Sequence, residues 1–89
     1  MKKLAKLDEY RPRLVEEEYG GENLATIEIP VYGLSDPTIT DVVSNCVNSK
    51  DGVYAFGQEW EYLRSNVRHN DGETVVRIFV KDDEHVETK

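Results

Sequence analysis

The sequence predicts a small single-domain α+β protein, with about three strands packed against helices. Three observations carry that expectation. The chain has 89 residues, and a domain of this size buries only about 60–65% of the surface its unfolded chain exposes, so one modest core is available. Two stretches, "LATIEIPVYGL" and "GETVVRIFVKDD", alternate apolar and polar residues with period two. Between them, "SDPTITDVVSNCVNS" places apolar residues at helical spacing behind a capping pair. Residues 1–82 are expected to form the domain and residues 83–89 a charged tail.

Taken in order, residues 2–10 read as a short helix, with Leu4 and Leu7 on one side and lysines on the other, ended by Pro12. Residues 13–19 read as a second short helix on the propensity of Glu16, Glu17 and Glu18, stopped by Gly20 and Gly21. The first strand is expected over 24–32, where Ile27, Ile29 and Val31 alternate with Thr26, Glu28 and Pro30. Pro30 donates no ladder hydrogen bond, which puts that part of the strand at a sheet edge or a bulge. A helix is expected over 37–48. Asp36 is placed to cap it, Pro37 suits the first helical position, and Ile39, Val42, Val43, Cys46 and Val47 form one apolar stripe. Asn48, Ser49, Asp51 and Gly52 then make an exit turn.

The stretch "VYAFGQEWEYLRSNV", residues 53–67, has two readings. In the preferred one, a strand over 53–56 precedes a helix over 58–66, because Gly57 weakens a strand interior and Gln, Glu, Leu and Arg favour helix. Trp60, Leu63 and Val67 are then core. In the alternative, a long C-terminal hairpin pairs 54–68 with 73–81, and Tyr54, Phe56, Trp60 and Tyr62 line one sheet face. The last strand is expected over 74–81, with Val76, Ile78 and Val80 facing one way and "HNDGE" as the turn before it. If the strands at 24–32 and 53–56 are adjacent, the unit they enclose crosses over right-handed and pairs in parallel.

The net charge is −7, unevenly spread. Residues 1–13 carry Lys2, Lys3, Lys6, Arg11 and Arg13 against Asp8 and Glu9, a balance of +3, and the remainder carries −10. A body of that sign repels nucleic-acid backbone and anionic lipid and attracts a basic partner. Cys46 is the one cysteine, so no internal disulfide forms, which favours a reducing, cytoplasmic setting. "MKKLAKLDEY" begins as a signal peptide does, but Asp8 and Glu9 interrupt it before any apolar run. Nothing approaches the roughly 18 apolar residues of a membrane span.

Catalytic chemistry needs convergent groups. Cys46 and His69 can meet in space as nucleophile and base, but a buried thiol packing as a small hydrophobe is the preferred reading of Cys46. His69, Asp71 and Glu73 in one turn, and Asp82, Asp83, Glu84 and His85 near the end, carry metal-ligating types without the spacing of a zinc or calcium site. The glycines form no phosphate cradle, and no cofactor is expected.

The functional expectation is a non-enzymatic protein-binding domain. It would act as an adaptor or inhibitor, in the manner of a phage or mobile-element accessory factor, on a partner with a basic surface. Its contact residues are expected to be Glu59, Trp60, Glu61 and Tyr62, with Glu16, Glu17 and Glu18. Homodimerisation through an edge strand is a further expectation. The alternative is a nucleic-acid-binding module using Lys2, Lys3, Lys6, Arg11 and Arg13.

Overall fold

The computed structural model describes residues 3–15 and 24–82. They form one six-stranded mixed sheet and one α-helix, so the expected three-stranded, helix-packed α+β architecture is replaced by a mostly β one. The elements are β1 (Ala5–Lys6), a 3-10 turn (Asp8–Tyr10), β2 (Arg13–Val15), β3 (Leu24–Val31), α1 (Pro37–Asn48), β4 (Val53–Ala55), β5 (Gln58–Asn70) and β6 (Glu73–Asp82). The strand order is β1-β4-β5-β6-β3-β2. Only the β1–β4 pair is parallel; the other four are antiparallel.

Three expected helices are absent from the described residues. The segment read as a helix over 2–10 holds a two-residue strand and a 3-10 turn, because Ala5 and Lys6 find a ladder partner in Val53 and Tyr54. The helix expected over 13–19 begins as β2; residues 16–19 lie outside the described part. The helix over 58–66 is strand throughout. Its good helix formers are overridden by pairing along its length with β6, whose buried Val76, Ile78 and Val80 need a neighbour on each side. The strand expected over 53–56 ends at Ala55 and is joined to β5 by Phe56 and Gly57, both at positive φ (57° and 78°). Asp71 and Gly72 repeat that geometry between β5 and β6, at 55° and 79°. Two-residue loops of this kind are type I′ turns, whose twist matches that of the flanking strands.

The helix stands at Pro37–Asn48. Asp36 accepts the Thr38 N–H at 2.9 Å and the Tyr32 N–H at 2.8 Å, and these two amides hold its carboxyl below the usual carboxylate range. Of the apolar stripe, Val42 and Cys46 are buried and Val47 is largely exposed. They pack on one face of the sheet with Ala25, Ile27, Ile29, Val53, Ala55, Trp60, Val76, Ile78 and Val80. Pro30 falls where the sequence suggested, one-sided: it lies opposite Val75 of β6, two residues past the last β2 pair at Arg13 and Glu28.

The sheet is curled. β1 and β2 are its two outer strands, yet only residues 7–12 join them. A flat sheet would set them about 24 Å apart at roughly 4.8 Å per strand. The connection, shortened by a 3-10 turn, reaches only about 20 Å. The edges must therefore bend toward each other around this crossing segment. Leu7 at its start is fully buried, and Tyr10 packs against the core.

Candidate functional site

The contact residues expected from sequence separate on folding. Trp60 is only 5% exposed; its Nε1–H donates to the Ala55 carbonyl at 3.0 Å, and its ring belongs to the core. Tyr62 is half-buried, with its hydroxyl 3.0 Å from the Ser65 hydroxyl. Glu59 and Glu61 lie on the opposite sheet face, with Glu61 exposed and paired in register with Lys81. Glu16, Glu17 and Glu18 lie outside the described residues. The aromatics that do reach solvent are Tyr32, fully exposed, and Phe56. Phe56 holds a left-handed backbone where Asn or Gly is the usual occupant, and its N–H donates to Asp8 Oδ1 at 3.2 Å. The signal for it was the Phe-Gly pair, which reads as a weak strand rather than as a turn.

The basic residues of the alternative reading are split. Lys6 is on β1 at one edge of the sheet and Arg13 on β2 at the other. Arg13 is bound to Glu28 at 3.0 Å and Glu73 at 3.2 Å. Lys3 and Arg11 are exposed, on either side of the buried Leu7, and Lys2 lies outside the described residues.

The described residues hold eleven acidic and nine basic side chains, a balance of −2; the other −5 of the net charge belongs to residues 1–2, 16–23 and 83–89. The sheet face turned away from α1 is therefore mixed in charge. Arg64 and Arg77 both lie over the half-buried Phe79 ring, 4.3 and 5.3 Å from its centroid. Glu28 bridges Arg13 and Arg77, the latter at 3.4 Å.

The groups considered for chemistry do not converge. Cys46 is buried in the core, and burial pushes its thiol up to about 12. His69 is at the far end of β5, where Nδ1 hydrogen-bonds the Thr74 hydroxyl. Among the described residues no group of three His, Cys, Asp or Glu side chains is placed to hold a metal ion. No helix among them is long and apolar enough to cross a membrane.

What the structure adds is an uncovered strand edge, which sequence reasoning missed because it placed a helix there. On the β4 side, β5 is paired only at Gln58, Glu59 and Trp60. From Glu61 to Asn70 it has β6 on one side and, among the described residues, no strand on the other. A β-bulge between Tyr62 and Arg64 lies near the start of this one-sided segment, and Leu63 at the bulge is 44% exposed. Beside the bulge is an open groove of about 350 Å³ between the C-terminal end of α1 and β5, lined by Val47, Ser49, Asp51, Gly52, Glu61 and Tyr62 among others.

The hairpin register fixes which backbone groups face outward. A two-residue I′ turn leaves its flanking pair, Asn70 and Glu73, exchanging both hydrogen bonds. Alternation along the ladder then turns the N–H and C=O of Arg68, Asn66 and Arg64 toward β6. Those of His69, Val67 and Ser65 face the open side. No family model, curated protein or solved structure matches the chain.

Proposed function

We propose that this chain is a non-enzymatic, cytoplasmic protein-binding domain, an adaptor or inhibitor, whose contact element is the open edge of β5. The observation that carries the reading is the run from Glu61 to Asn70, where, among the described residues, a row of backbone donors and acceptors has no partner strand on one side. Such an edge takes up an extended segment through main-chain hydrogen bonds, with neighbouring side chains setting specificity. Leu63 and Val47 supply exposed apolar surface beside it. Glu59 and Glu61 at its base favour a segment carrying basic residues. The burial of Cys46 and the distant placement of His69 support a role without catalysis.

The test is recovery of partners by the wild-type chain beside a Glu59→Lys/Glu61→Lys variant and a Leu63→Asp variant. A partner captured by the wild type should be lost or strongly reduced with both. Equal recovery of every captured protein by all three chains would remove β5 as the contact element.

A further inference from the structure

Resting on that reading, we infer that the partner of the β5 edge is a second copy of this chain, bound antiparallel about a two-fold axis at Val67. Two copies that share one edge must pair the strand with itself, so the register is defined by the residue on the axis. Charge decides among the choices. Arg64, Asn66 and Arg68 all project from the sheet face opposite α1, as their pairing with Phe79, Arg77 and Val75 shows. An axis at Arg64 or Arg68 sets each arginine against its own copy, and an axis at Asn66 sets Arg64 against Arg68 twice. Like charges directly opposite are destabilising.

Three axes remain, at the residues whose backbone groups point outward. With Ser65 on the axis, Asn70 of the second copy is carried to the place beside Trp60 that Val53 already holds. With His69 on the axis, only three residues pair. The axis at Val67 joins Arg64–Asn70 of one copy to Asn70–Arg64 of the other. Ser65, Val67 and His69 then supply the reciprocal hydrogen bonds. Arg68 faces Asn66 and Arg64 faces Asn70, so each guanidinium meets an amide oxygen. The Asp71–Gly72 turn of the second copy ends at the bulge around Leu63, beside the groove next to Val47, where pairing must stop. A seven-residue ladder buries less than the roughly 1,600 Å² of a standard interface, so the association is weak and concentration-dependent.

The experiment is sedimentation of the full chain from micromolar to millimolar concentration, with amide exchange at both ends of the range. The apparent mass should double. Protection should rise at Ser65, Val67 and His69 and stay level at Asn66 and Arg68, whose amides already face β6. Asn66→Arg, an exposed substitution that sets arginine against Arg68, should give a folded monomer throughout. Asn66→Arg with Arg68→Glu should restore the dimer. A wild-type monomer at millimolar concentration, or an Asn66→Arg chain that dimerises as the wild type does, overturns the inference. If that monomer still captures another protein through β5, the broader reading stands while the second copy is excluded.

Discussion

Gln58–Tyr62 and Leu63–Asn70 are consecutive parts of one strand in different surroundings. The first part is the root. Over Gln58–Trp60 it is paired with β4, β6 lies on its other side, and Trp60 within it is sealed into the core under α1. The second part is the tip, flanked among the described residues only by β6, with most of its side chains in solvent. Burial on both sides makes the root expensive to alter, since lost apolar contact and lost hydrogen bonding fall on groups that water cannot reach. The tip has solvent as an alternative partner for nearly everything it presents. Stability and availability for binding are thus divided along a single strand.

Substitutions at the two ends should separate accordingly. Trp60→Ala should cost the most, about 3–5 kcal/mol in urea unfolding, because it opens a cavity and leaves the Ala55 carbonyl without its indole donor. A loss below about 1 kcal/mol would mean the root is not the anchor described. Gly52→Ala tests the same region from β4. Its φ is 107°, and an added Cβ would lie 2.3 Å from the Trp60 carbonyl oxygen, so a loss of about 1–3 kcal/mol is expected. Phe56→Asn should move in the opposite direction, raising the free energy of unfolding by about 0.5–1 kcal/mol, since it relieves a left-handed aromatic at the I′ turn that leads into the root. Arg68→Ala, at the tip, should change monomer stability by less than about 0.5 kcal/mol. A larger effect there would show that the tip is coupled to the core.

The same division explains what could be read in advance. α1 was legible to its ends because Asp36, Pro37 and the stripe through Val42 and Cys46 all point one way. β3 and β6 were legible because each keeps an unbroken period of two across a buried face. β5 was legible only in the alternative hairpin over 54–68 and 73–81, and the preferred reading made it a helix for a geometric reason. The bulge after Tyr62 adds one residue, so the side chains facing α1 run Trp60 and Tyr62, then Ser65 and Val67. Trp60 and Val67 end up seven apart, the separation of two helical turns, and the strand imitates an amphipathic helix. The stronger cue was Asp71-Gly72, a preferred I′ turn pair, which implies a strand on both sides. β1 and β2, at two and three residues, are too short to show any period. Trp60 was named both as core and as a contact residue, because an aromatic in a charged context looks alike whether it binds a partner or the core; the structure buries it. The open edge was hidden by the helix placed on top of it.

The strand order has a consequence for biosynthesis. β6 is the last described strand to be made, yet it lies between β5 and β3. Until it leaves the ribosome, β3 and β2 form an isolated hairpin, and β1, β4 and β5 have no central neighbour. Small detached ribbons of this kind are marginal in water. The nascent chain should therefore stay unfolded until about residue 82 has emerged, and then assemble in one cooperative step with β6 as the keystone.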